Sequence, residues 1–261
     1  MAATTGRTSR LTDEQLGKML ELAGASDSVE LKLTVPPSER RATVEAIGFD
    51  AIACQIRQVF FFDTPELALQ KAGLAVRARR VQGREGDTVV KLRPVVPADL
   101  PDYLRRSRSM VVEVDAMPGG YVCSAALKGR LDNEQIRATV TRGEGRLRKL
   151  FSKEQRRFYL DHAPEGVDLD TLSVLGPIFV LKANVVPKGL GRKLVGELWM
   201  YPDNSQIIEL STKCVPSESL EVALKTRLFL EGKGIDLGAE QETKTRRALE
   251  FFAAELAAAA G

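Results

Sequence analysis

Apolar and charged residues alternate over short stretches from residue 28 to residue 214, and a two-residue period marks strands with one greasy and one charged face. In Ser28-Val29-Glu30-Leu31-Lys32-Leu33, Glu30 and Lys32 share one face and the apolar residues the other. Residues 88–94 set Lys91 and Arg93 against Val90 and Leu92, and residues 109–116 set Glu113 and Asp115 against Val112 and Val114. Lys182 opposes Leu181 and Ala183 within 179–185, and Glu197 and Trp199 oppose Leu198 and Met200 within 194–200. Residues 207–214 close the series with Glu209, Ser211 and Lys213 on one face.

The densest pattern lies at 59–80. Residues 59–62 (VFFF) predict an aromatic, β-branched strand that Asp63-Thr64-Pro65 breaks. Residues 67–72 predict a short helical turn stopped by Gly73, and residues 74–80 alternate again, with Arg77 and Arg79 opposite Val76 and Ala78. Two arginines side by side on one strand face repel each other unless water or an anion stands before them, which points to an anion site.

Between the strands the period changes. Thr12-Asp13-Glu14-Gln15 spells a capping box for a helix ending near Gly24. Pro36-Pro37 ends the first strand, and Ser38 is placed to cap a helix reaching about Ile47. Residues 94–108 read as a Pro-rich connection, 118–150 as helical with a break at Gly143 to Gly145, and 158–161 as a strand followed by His162 in a loop. Residues 242–260 form a terminal helix with an apolar stripe, and the first ten residues are small, polar and expected to be disordered. Amphipathic helices need an apolar sheet face to cover. Seven or more strands tend to curl and close, so helices on the outside would leave the charges lining the interior.

In this order the segments resemble the CYTH family, the triphosphate tunnel enzymes. FFDTPELALQKAGLAVRARR resembles the family's aromatic-Asp-Thr-Pro … Gly … Leu-x-Arg-x-Arg-Arg signature, DTVVKLRP its lysine strand, SVELKL its opening Glu-x-Glu-x-Lys strand, IIELSTK a late carboxylate strand and ETKTRRALEFF its closing helix. The resemblance covers roughly residues 29–252. It implies an α+β fold, a closed antiparallel β-barrel of about eight strands with helices packed outside. A tail and short helix would occupy 1–27, one tunnel domain 28–255 and a frayed end 256–261.

On that resemblance Lys32, Arg77, Arg79, Lys91, Arg93, Arg157, Lys182 and Lys213 are expected on the phosphate chain, with Glu30, Lys32, Arg77 and Lys91 in the catalytic set. Glu30, Glu113, Glu197 and Glu209 are expected to hold Mg2+ or Mn2+, with Asp115 a further candidate. Arginine suits bidentate phosphate contacts, lysine acts as a movable point charge, and carboxylates beside an anion need a hard cation between them. Two positions depart from the pattern: Ser28 stands where the opening motif has its first glutamate, and Ser211 follows Glu209 where a second carboxylate is expected. The implied reaction is metal-dependent hydrolysis of inorganic or organic triphosphate. The serines favour an alternative, capture of triphosphate or polyphosphate with little or no turnover, and the family also includes adenylate cyclases.

Composition narrows this further. A chain of 261 residues with 44% hydrophobic content can bury one sizeable core. A net charge of +3 argues against a global nucleic-acid binder, so the basic residues matter by placement. Cys54, Cys123 and Cys214 form no CxxC, and a lone His162 argues against histidine ligation or a Ser-His-Asp triad. No apolar run approaches a membrane span and no signal-peptide core opens the chain, so a cytoplasmic monomer or homodimer is expected.

Overall fold

The structure is a computed structural model that describes residues 12–237, 241 and 243–260; the first ten residues lie outside these. Thr12 caps α1 (Asp13–Gly24) as its sequence predicts: its hydroxyl accepts from the Gln15 amide at 3.2 Å, and the Gln15 side chain accepts from the Thr12 amide at 2.9 Å. β1 (Ser28–Val35) stops at Pro36, and α2 (Arg40–Ile47) follows a 3₁₀ turn. Glu39, not Ser38, sits at the α2 N-cap, and no side chain caps it. β2 (Gln55–Asp63), α3 (Ala68–Lys71), β3 (Leu74–Val81) and β4 (Gly86–Leu92) come next. α4 (Asp102–Arg105), β5 (Met110–Met117), β6 (Gly120–Leu131), α5 (Asn133–Arg142) and α6 (Lys153–Leu160) lead to β7 (Ser173–Val185). β8 (Leu194–Met200), β9 (Gln206–Cys214), α7 (Ser219–Gly232) and α8 (Lys244–Ala260) complete the chain.

The strands close into a barrel in the order β1-β5-β6-β4-β3-β2-β7-β8-β9. Eight of the neighbouring pairs are antiparallel, and β1 runs parallel to β5. The barrel is therefore mixed and nine-stranded, where about eight antiparallel strands are expected from sequence. The strand that sequence reading misses is β6. Its Ala-Ala-Leu-Lys run favours helix locally, and both of its faces are covered over Cys123–Leu127, so no alternation shows. A second correction falls at 158–161. Residues 158–160 end α6, which a capping box between Ser152 and Gln155 opens, and Asp161 is its C-cap.

Apolar strand faces turn outward under the helices. Val76, Val90, Val112, Val114 and Leu127 pack with Ile136 of α5 and Phe158 and Tyr159 of α6, while Leu33, Val35, Ile208 and Leu210 pack with Ile47 of α2 and Leu230 of α7. Gln155 anchors α6 to the barrel wall, its amide donating to the carbonyls of Thr88 and Leu127 at 3.1 Å each. A third apolar cluster lies inside the barrel. Val59, Phe61, Ile178, Val180, Trp199 and Ile207 share faces with Arg57, Lys182, Glu197 and Glu209, and they close on Ala248, Leu249 and Phe252 of α8. The terminal helix thus fills part of the bore, each fully buried Leu or Phe contributing about 1.5–3 kcal/mol. Among the described residues no helix is long and apolar enough to cross a membrane.

Candidate functional site

Strand alternation gathers the inward side chains around a cavity of about 290 Å³. Glu30, Lys32, Arg77, Arg79, Lys91, Arg93, Glu113, Lys182, Glu197, Glu209 and Lys213 all line it. So do Asp115, Ser211 and two lysines that sequence reading misses, Lys128 of β6 and Lys244 of α8. Among the described residues nine basic and five acidic side chains face the space, a formal excess of four positive charges.

The acidic wall follows from the parallel pairing of β1 with β5, which sets Ser28 beside Glu113 and Glu30 beside Asp115. Carboxylate oxygens of Glu30, Glu113 and Asp115 all lie within 4.8 Å of one another. The Ser28 hydroxyl donates to Glu113 at 3.1 Å, so the residue in the place of the missing glutamate does face this cluster. Lysines balance it: Lys32 lies 2.8 Å from Asp115 and 3.2 Å from Glu30, Lys91 lies 3.1 Å from Asp115, and Lys213 pairs with Glu113. Burial raises the Glu30 carboxyl, but Lys32 and its other partners outweigh it and hold the group at about 2. Glu113 goes the other way, pushed up by burial and by Glu30 beside it. Two carboxyls this close resist full ionisation together, a conflict that a cation between them relieves.

The opposite wall is basic. Arg79 grips Asp87 across β3 and β4, with nitrogens 2.8 and 2.9 Å from the carboxylate. Arg77, two residues back on the same face, forms no ion pair among the described residues, and its buried Nε has no hydrogen-bond partner. Burial, with Arg79 beside it, lowers its guanidinium to about 10, still charged at neutral pH. Lys182 is lowered to about 8 by burial against the pull of Glu197, which lies 3.6 Å away. Gly73 supports this wall. At φ +77 it accepts the Arg93 amide at 2.9 Å, and a Cβ there would stand 2.3 Å from the Arg93 carbonyl oxygen.

Glu197 and Glu209 stand apart from the acidic trio. They face each other across β8 and β9, and the Lys244 ammonium bridges them at 2.5 and 2.7 Å. The four glutamates expected to hold metal therefore divide into two groups, and the first recruits Asp115.

Arg157 does not reach the cavity. Gln155, Phe158 and Tyr159 form the buried face of α6, which leaves Arg157 outside, stacked 4.3 Å over Tyr103 and 67% exposed. His162 follows α6, with Nδ1 2.8 Å from the Phe158 carbonyl oxygen, and the three cysteines are free and buried. Asp63 of the Asp-Thr-Pro motif serves the structure instead, because its carboxylate accepts the amides of Thr64, Leu69 and Gln70 at 2.8–3.0 Å and so organises the turn before β3.

No family model and no curated protein matches the chain in sequence. Solved structures do match. A protein from Hippeastrum provisionally named an adenylyl cyclase (HpAC1), and described as having a dominant triphosphatase activity, superposes with a TM-score of 0.60 at 18% identity over 83% of this chain and 92% of its own. A protein from Bacillus halodurans provisionally named an adenylate cyclase gives 0.59 at 12% identity over 85% and 97%. The chain shares the fold of these two proteins, and its own closed barrel carries charged side chains inside.

Proposed function

We propose that the bore captures a triphosphate and hydrolyses a phosphoanhydride bond, with a divalent cation at Glu30, Glu113 and Asp115. The observation that carries this reading is Arg77, a half-buried arginine with a buried, unpartnered Nε and no ion pair among the described residues, on a wall with a surplus of positive charge. Taking an ion out of water costs several kcal/mol, and an anion that enters the bore offsets that cost.

Three clustered carboxylates suit a hard cation such as Mg2+ or Mn2+. When bound, the cation supplies Lewis-acid stabilisation and an activated water. The chain's own residues do the rest. Arg77, Arg93, Lys91 and Lys182 bind and align the phosphate oxygens, and Lys32 and Lys213 shift between carboxylate and phosphate as charge requires. As the bridging P–O bond breaks, the leaving oxygen gains negative charge and the fixed basic wall neutralises it. Positioning and electrostatics suffice, with no side-chain nucleophile.

A second reading, capture without turnover, draws on Ser28 at the acidic cluster and Ser211 on the cavity wall, where carboxylates would have strengthened cation binding. Phosphate release from inorganic triphosphate, thiamine triphosphate, ATP and long polyphosphate, with Mg2+, Mn2+ or chelator, separates the two. Hydrolysis that stops on chelation supports the enzyme; tight binding with no release supports the binder. In either case Arg77→Met should weaken triphosphate binding roughly 10- to 100-fold, the worth of a charge-assisted contact. Its melting temperature should stay level or rise. Unchanged affinity by calorimetry would remove the anion site.

A further inference from the structure

Within the site just proposed, Glu197 and Glu209 are direct neighbours across β8 and β9, both aimed into the bore. Like charges opposite each other on a sheet are destabilising, and burial sharpens the repulsion. Two carboxylates so placed need a cation. The chain supplies one itself: Lys244, at the start of α8, sits with its ammonium 2.5 Å from Glu197 and 2.7 Å from Glu209 and 4.9 Å from the Trp199 ring centroid. The Trp199 indole completes the clasp by donating to Glu197 at 3.2 Å. Lys182 lies on the same carboxylate at 3.6 Å, and Ser211 offers no further charge beside Glu209.

We infer that Lys244 is a tethered cation that occupies the Glu197–Glu209 pair, so that the bore takes up one divalent cation per chain, at Glu30, Glu113 and Asp115. The inference rests on the proposed cation site but concerns stoichiometry, not turnover. It also gives α8 a second role. The helix that fills the apolar part of the bore with Leu249 and Phe252 delivers from its first residue, Lys244, the charge that balances the acidic pair. Seating the plug and neutralising the pair become one event.

Equilibrium binding of Mn2+ to the full chain, with free Mn2+ read by electron paramagnetic resonance, tests this without reference to activity. The wild type should bind one Mn2+ per chain, and Glu30→Gln should lose it. Lys244→Met removes from Glu209 its one ion pair among the described residues and leaves Glu197 to Lys182 at 3.6 Å and Arg57 at 3.7 Å, and this variant should bind two. A Glu197→Gln/Glu209→Gln chain, which has no use for the tethered charge, should keep the single site at wild-type affinity and serves if Lys244→Met does not fold. Two Mn2+ on the wild type, one on a folded Lys244→Met chain, or loss of the single site in the double variant each overturns the inference. Two Mn2+ beside intact magnesium-dependent hydrolysis would sink the tethered cation and leave the triphosphatase standing. No Mn2+ at all would sink both.

Discussion

Arg77 and Lys182 hold charge where the fold penalises it, and that tension makes them sensitive reporters. For Lys182 the sign can be worked out. Its folded value of about 8 lies below the ordinary lysine value of 10.5, so the cost of keeping the ammonium buried is fully present below pH 8. As pH rises through 8 the folded lysine releases its proton before the unfolded one does, and stability rises towards pH 10.5. Anion capture runs the opposite way, because phosphate needs the ammonium. From pH 7 to pH 9 triphosphate affinity should fall about tenfold more in the wild type than in Lys182→Met, which corrects for ionisation of the ligand itself. Equal falls in the two proteins by calorimetry would take Lys182 off the phosphate chain. At this scale the sequence was informative. A strand face carrying Arg77 and Arg79 can be read from alternation alone, whereas the absence of a partner for Arg77 depends on Asp87 having chosen Arg79, a matter of register across β3 and β4.

Among elements, α8 bears most on the site. An apolar stripe over 242–260 marks a packed helix, but the period of a helix does not say what lies opposite it. It packs inside the barrel, against Val180, Trp199 and Ile207, rather than on the jacket. Leu249, 3% exposed, should therefore cost about 2–5 kcal/mol as Leu249→Ala in urea unfolding, and triphosphate affinity should fall with it as Lys244 loses its seat. A loss below about 0.5 kcal/mol, the range of an ordinary surface change, would mean that the helix is not seated in the bore. Two other elements show where local pattern misleads. β6 has both faces buried over Cys123–Leu127, with small residues on the inner one, and so lacks the alternation by which its neighbours are found. In α6 the apolar stretch 158–160 follows the Ser152–Gln155 capping box, and weighing that box would have placed Arg157 on a helix and away from the phosphate wall.

At the scale of the whole molecule, charge is sorted rather than abundant. The chain as a whole carries +3, and among the described residues the lining of the bore alone carries an excess of four. A cationic cavity in a nearly neutral body focuses its field at the mouth, so capture should be more salt-sensitive than chemistry. Raising salt from about 50 to 500 mM, which shortens the screening length several-fold, should lower kcat/KM for triphosphate severalfold and leave kcat nearly constant. Equal falls in both would place the salt effect on the reaction step. The sequence by itself determined which residues share a strand face, where β1, β3 to β5, β8, β9 and the second halves of β2 and β7 run, and that basic and acidic faces recur together, because a period of two and the turn residues between strands are local properties. Only the tertiary structure decided that β1 lies parallel to β5, that Asp115 joins Glu30 and Glu113, that Lys244 stands between Glu197 and Glu209, and that Arg157 is left outside. Each of these is a contact between segments far apart in the chain, set by barrel closure and helix packing, on which alternation within one strand is silent.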